Sequence, residues 1–276
     1  MKKTIINLDE QFQRTGQRGL NRLTPGLLKA RGVFETMRTY RGKIFGYREH
    51  CRRMRRGLRV LKIKPPASFL RDESLIYRVM QKNRLSDARI RLMCWKDKKN
   101  KVYAAVVCQP LALPKRGSFR VMVSSLIHPQ NRLSRLKTLD YEIFHKAYAQ
   151  ARRLGFDEAL LLNKKGEAVE ASRANLFAVK GGILYTPPVS SGCLEGITRS
   201  FVIACAKRAK IVFGSKKLTE ESLLNADEVF LTNSVSGIVF VSQIGGARIG
   251  TGQAGVITRR LKMAYQELTE EGLRSG

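Results

Sequence analysis

The amino-acid sequence predicts an α+β protein in two halves, a smaller one over residues 1–116 and a larger one over residues 117–276. Three observations predict it. Strand-like and helix-like periodicities alternate along the chain, with no internal repeat. The 276 residues are 43% hydrophobic and 27% charged, which suits a globular chain with a sizeable core. Between the halves, Leu111 to Gly117 breaks the pattern with Pro114 inside it and reads as a linker.

In the first half, Arg31 to Tyr40 reads as a strand, Arg41-Gly42-Lys43 as a turn and Ile44-Phe45 as a second strand. Glu49 to Leu61 reads as a helix. Its Cys51, Met54, Leu58 and Leu61 recur at steps of three and four, most of its arginines lie on the other face, and Pro65-Pro66 is expected to end it. A helix over Asp72 to Lys82 follows, then strands at Arg89 to Trp95 and Tyr103 to Gln109 around a polar turn.

In the second half, Phe119 to Ser125 is a strand and His128 to Arg135 a polar loop. Asp140 to Leu154 is a helix, with Tyr141, Phe144, Tyr148 and Ala151 at helical spacing. Glu158 to Leu162, Leu176 to Val179 and Ile183 to Tyr185 are short strands joined by hairpin turns. Thr198 to Ala209 is a helix, Glu220 to Asn225 a short one capped by Thr219, and Glu228 to Thr232 a strand. The last helix covers Gly255 to Glu271.

Composition narrows the function classes. No apolar run approaches the roughly 20 residues of a membrane helix, and the start lacks the apolar core of a secretory signal. Five scattered cysteines without a C-x-x-C pair argue against a disulfide framework or a metal site, and for a reducing cytoplasm. The formal net charge of +30 invites a nucleic-acid reading. Against it, only Arg48 to Arg59 is densely basic, and no RNA-binding aromatic motif or zinc-finger spacing is present.

Several separated motifs carry a resemblance. Gly32-Val33-Phe34-Glu35-Thr36-Met37-Arg38, followed by Arg48-Glu49-His50 and Arg53, resembles the N-terminal signature of class IV aminotransferases. Ser134 to Tyr141 is similar to that family's lysine segment, and Glu158 to Leu162 with Glu170 to Phe177 to its glutamate segment. Leu194-Glu195-Gly196-Ile197-Thr198-Arg199 resembles its phosphate turn, and Asp227 to Ser234 its final strand and turn. Each motif alone is weak, but their order and spacing are shared from about residue 30 onward.

The resemblance implies two α/β domains with pyridoxal 5′-phosphate between them, a homodimer, and small-molecule substrates rather than a specific nucleic acid or a membrane. By pattern alone Lys137 is one solvated lysine among many; the resemblance makes it the amine that carries the cofactor and moves a proton. Glu170, otherwise an exposed glutamate beside a turn, becomes the carboxylate that keeps a pyridine nitrogen protonated. Gly196, Ile197 and Thr198 open a helix, where free N–H groups and the dipole favour a phosphate. Arg53 adds a charge-assisted hydrogen bond, Ser234 a hydroxyl, and Tyr141 a contact to the cofactor's phenolic oxygen. Arg38, Arg91 and Val235 are candidates for the substrate side.

Three positions depart from the family pattern: Asp140 for an asparagine, Arg31 for an aspartate and Phe240 for a proline. The expected reaction is transamination between an L-amino acid, of branched-chain type, and a 2-oxo acid. The close alternative is 4-amino-4-deoxychorismate lyase, which releases pyruvate and 4-aminobenzoate. Thr36 leans toward the lyase because its hydroxyl can assist as a catalytic group, although Thr36 is also an ordinary β-branched strand residue. A basic nucleic-acid-binding protein without catalysis is the alternative of another class.

Overall fold

A computed structural model describes residues 4–15, 30–114, 117–131 and 133–274. The expected linker at Leu111 to Gly117 lies partly outside these, at residues 115 and 116. The chain divides into two compact units. One is built from the described residues through Ala112 together with Leu136–Glu142, and the other from Leu113–Arg135 and Ile143–Glu271. The lysine segment therefore belongs with the first unit, although it follows the linker in sequence.

The first unit is an antiparallel six-stranded sheet, in the order β2-β1-β6-β5-β3-β4. Its strands are β1 (Thr4–Leu8), β2 (Gln11–Thr15), β3 (Arg31–Tyr40), β4 (Lys43–Ile44), β5 (Ala88–Lys96) and β6 (Val102–Pro110). Helices α1 (Tyr47–Val60) and α2 (Ser74–Lys82) cover one face. There Val33 and Met37 of β3 meet Cys51, Met54 and Leu58 of α1 and Ile76, Val79 and Met80 of α2, all buried. The opposite face of α1 carries Arg48, Arg52, Arg55, Arg56 and Arg59.

Pro65-Pro66 does not end α1. The helix stops at Val60, where Lys62 turns left-handed at φ 53° and the Ile63 amide donates back to the Leu58 carbonyl at 2.9 Å. Ile63 is buried beside that closure, so a backbone motif with an apolar contact terminates the helix before the prolines are reached.

The second unit is a mixed sheet, in the order β12-β11-β10-β14-β15-β7-β8-β9-β13, with β16 on β15. Its main strands are β7 (Ser118–Val123), β8 (Glu158–Leu162), β9 (Glu167–Ala171), β10 (Asn175–Lys180), β11 (Ile183–Thr186), β14 (Glu228–Asn233) and β15 (Gly237–Ile244). Short strands β12 (Phe213–Ser215), β13 (Leu218–Thr219) and β16 (Ala247–Arg248) complete it. Its helices are α3 (Glu142–Arg153), α4 (Ile197–Arg208), α5 (Glu220–Leu224) and α6 (Val256–Arg274). Thr219 caps α5 as expected, in a reciprocal box with Ser222. Glu228 caps α6 by accepting from the Ile257 and Thr258 amides.

In the first unit, the β3 edge left open beyond β4 is filled by the lysine segment. The Phe34 amide donates to the Lys137 carbonyl and the Leu139 amide to the Gly32 carbonyl, both at 2.9 Å. That pairing requires a glycine at 32. A Cβ there would lie 2.5 Å from Trp95 Cβ, 2.6 Å from the Cys94 carbonyl oxygen and 2.8 Å from Leu139 Cδ1. The obstructing carbonyl is backbone and cannot rotate away. Gly32→Ala is expected to lower stability by about 1–3 kcal/mol through overpacking. A shift of the urea midpoint at unchanged slope checks this, and an unchanged midpoint would contradict the close approach.

Candidate active site

Alternation along β3 sorts its side chains by face. Val33, Glu35 and Met37 point toward α1, while Phe34, Thr36 and Arg38 point the other way. On the α1 face, Glu35 is fully buried and accepts from Arg53 Nε at 2.8 Å, Arg53 Nη2 at 2.6 Å and His50 Nδ1 at 2.7 Å. The carboxylate can only accept, so His50 carries its proton on Nδ1. Burial alone would raise the Glu35 pKa, but the Arg53 charge and hydrogen bonds, helped by His50, hold it at about 2. Burial pushes His50 down, outweighing the Glu35 contact, so the imidazole stays neutral. Two nitrogens of Arg53, the expected phosphate ligand, are thus held by Glu35.

On the other face, Lys137 Nζ lies 4.4 Å from the centre of the Phe34 ring and 5.5 Å from that of Tyr141, and the two rings meet edge to face at 5.6 Å. Arg91 Cζ lies 4.6 Å from the same Phe34 ring. Arg91 pairs across the strands with Thr36, and Arg89 with Arg38. Arg91 Nε is buried without a hydrogen-bond partner. Burial, followed by the like charge of Arg89, brings the Arg91 guanidinium down to about 10. Arg38 is drawn aside: its Nε donates to the Thr39 carbonyl and its guanidinium lies over Tyr40 at 4.0 Å. The first unit therefore brings Lys137, Tyr141, Thr36 and Arg91 onto one sheet face, with Arg53 on the other.

In the second unit, Glu170 on β9 is 4% exposed and surrounded by donors. His128 Nε2 lies 3.2 Å from Oε1, while the Leu194 amide and Asn175 Nδ2 lie 3.2 Å and 3.4 Å from Oε2. Asn175 Nδ2 also donates to the Leu194 carbonyl at 2.9 Å. One amide thus ties the carboxylate to the turn before α4. A Cβ on Gly196 would lie 1.9 Å from Asn175 Oδ1, so this turn closes only over glycine.

Gly196 begins α4 with extended backbone and no side chain capping the helix, which leaves the amides of Ile197 and Thr198 to an outside acceptor. Thr198 Oγ1 and Ser234 Oγ stand 3.5 Å apart beside them. Asn233 Oδ1 accepts from the Val235 and Ser236 amides at 3.0 Å and 2.8 Å, which holds the Ser234-Val235 turn. Of the family departures, Asp140 and Arg31 are exposed, and Phe240 is half-buried opposite Phe230.

Sequence reasoning left Glu35, His50, His128 and Asn175 without roles. One signal was available: the chain has only three histidines, and two of them are bonded to buried glutamates.

A family model described as class IV amino-transferase matches residues 32–244. Over 262 residues the chain is 35% identical to a Methanocaldococcus jannaschii protein provisionally assigned as a branched-chain-amino-acid aminotransferase, spanning 90% of this chain and 91% of that one. It is 31% identical over 259 residues to aminodeoxychorismate lyase of Bacillus subtilis, spanning 88% and 87%. The solved branched-chain aminotransferase of the archaeon Thermoproteus uzoniensis, with norvaline, superposes with a TM-score of 0.85 at 27% identity, over 97% of this chain and 95% of that one.

The Glu35 cluster sets a pH dependence. Its pKa falls from 4.5 to about 2, so its contribution is complete above pH 4.5 and is lost as the pH drops through about 2. Glu35→Gln is expected to cost about 3–5 kcal/mol at neutral pH, because it leaves Arg53 buried without its counter-charge. The gap between the native chain and this variant should narrow as the pH falls below 4.5. Denaturant unfolding at several pH values checks this, and a gap independent of pH would contradict it.

Proposed function

The chain belongs to the class IV aminotransferase family, and on that premise we propose that it is a pyridoxal 5′-phosphate enzyme moving an amino group between a branched-chain L-amino acid and a 2-oxo acid. One observation carries this reading: Lys137 and a half-buried Arg91, whose Nε is buried and unpaired, share the Phe34 ring. An amine beside a cation whose Nε is buried without a hydrogen-bond partner suits a substrate that brings a carboxylate to the reacting carbon. Phe34, Met93, Val107 and Tyr141 form one apolar cluster on this face, which suits an aliphatic side chain.

The donor set fits the cofactor. The uncapped start of α4 with the Thr198 and Ser234 hydroxyls suits a phosphate, and a buried glutamate among donors suits a protonated pyridine nitrogen. When bound, the cofactor supplies a carbonyl that bonds reversibly to amines and a ring that accepts the electron pair left by a departing proton. Lys137 Nζ would carry the cofactor, take the substrate's α-proton and pass it to the carbon that bore the cofactor's carbonyl, the shift that turns an amino acid into a 2-oxo acid. Glu170 keeps the pyridine nitrogen protonated, and Tyr141 steadies the phenolic oxygen. Ile197, Thr198 and Ser234 would hold the phosphate. Arg91 would bind a substrate carboxylate.

Thr36 favours a second reading. It is half-buried on the Lys137 face opposite Arg91, and the lyase relative spans nearly the whole chain. A lyase would use Lys137 for the same proton removal and then eject pyruvate. The proposal extends to a cytoplasmic homodimer. All five cysteines are free and buried, in keeping with a reducing compartment, and among the described residues no helix is long and apolar enough to cross a membrane.

The purified protein with L-leucine, L-isoleucine or L-valine is expected to convert its cofactor to the amine form and release the 2-oxo acid. Lys137→Ala should fold and show no turnover, and Glu170→Gln should slow the half-reaction about 10²–10³-fold, as loss of an electrostatic partner does. Release of pyruvate and 4-aminobenzoate from aminodeoxychorismate, with no amine form from any amino acid, replaces transamination by the lyase. Full activity of Lys137→Ala removes both readings.

A further inference from the structure

The chemistry proposed above uses Glu170 but leaves unexplained the imidazole behind it. His128 lies in the irregular segment after β7, where its side chain is completely buried. Its protonation pattern follows from its neighbours. The Gln130 amide donates to His128 Nδ1 at 3.3 Å, so that nitrogen is bare and the proton sits on Nε2. Nε2 faces Glu170 Oε1 at 3.2 Å. The ring is fixed by an edge-to-face contact with Phe144 at 5.4 Å and by the Gln130 side chain, which anchors the same turn to the Ser191 carbonyl at 2.7 Å.

The carboxylate's other oxygen already has the Leu194 amide and Asn175. His128 supplies a hydrogen bond to Oε1 and so orients the carboxylate. We propose that His128 is a positioning residue which, through its Nε2–H, holds Glu170 aimed at the pyridine nitrogen. This rests on the reading of Glu170 given above. Loss of the donor frees Oε1 to rotate, and the pyridine nitrogen then loses its aligned partner.

The test is cofactor binding. The apoprotein is titrated with pyridoxal 5′-phosphate and with its 1-deaza analogue, in which CH replaces the pyridine nitrogen. His128→Leu should weaken binding of pyridoxal 5′-phosphate about 10-fold or more, the usual cost of removing an orienting partner. The same variant should bind the analogue as the native chain does, because the analogue has no nitrogen for Glu170 to pair. His128→Gln, whose amide places a donor near the Nε2 position, should recover most of the loss. If His128→Leu does not fold, His128→Met takes its place.

Equal weakening toward both ligands would mean a merely structural role and overturns the proposal, as does no weakening toward either. If Glu170→Gln weakens pyridoxal 5′-phosphate binding while His128→Leu does not, the proposal falls and the Glu170 reading stands. If Glu170→Gln has no effect on binding or on the half-reaction, the Glu170 reading falls and takes this one with it.

Discussion

The architecture of the lysine site depends on one short backbone pairing. Strand β3 leaves its N-terminal edge open, and Lys137 to Leu139 fill it with two hydrogen bonds, to Phe34 and Gly32. This joins the lysine to the sheet that carries Phe34, Thr36 and Arg91, so Nζ is positioned by rigid strand rather than by a free loop. Unpaired edges are costly and invite wrong partners; here the edge is closed by the segment bearing Lys137. Across the same strand, Glu35 is locked to Arg53 and His50. The strand therefore has a fixed electrostatic anchor on one side and a chemical face on the other.

The second unit applies the same economy to a carboxylate. Asn175 touches Glu170 and the Leu194 carbonyl, and its oxygen occupies the space a side chain at residue 196 would need. An acid and an uncapped helix start are thus held in one register by a single side chain. His128, Asn175 and the Leu194 amide all donate to Glu170, an arrangement that holds both carboxylate oxygens in place.

Much of this was legible in the sequence where local physics decides. The apolar spacing of Cys51, Met54 and Leu58 made α1 a helix, and Thr219 marked the start of α5. The motifs around Lys137, Glu170 and Thr198 singled out the residues on which the proposed function rests. What escaped is set by tertiary structure. Strand β9, Glu167 to Ala171, has little intrinsic strand preference and exists because β8 and β13 pair with it. His128 lies in what reads as a polar loop, and its burial follows from that of Glu170, which no local pattern reveals. The membership of Leu136–Glu142 in the first unit is a long-range pairing invisible to periodicity. The Pro65-Pro66 pair misled because a left-handed Lys62 had already closed the helix.

The central claim is that Lys137, among all the lysines of this strongly basic chain, carries the cofactor. The direct measurement is borohydride reduction of the protein loaded with pyridoxal 5′-phosphate, followed by proteolysis and mass spectrometry of the labelled peptide. The account predicts a single phosphopyridoxyl adduct on Lys137, absent from Lys137→Ala. An adduct confined to another lysine, or a scatter of labels over exposed lysines with Lys137 unmodified, would contradict it.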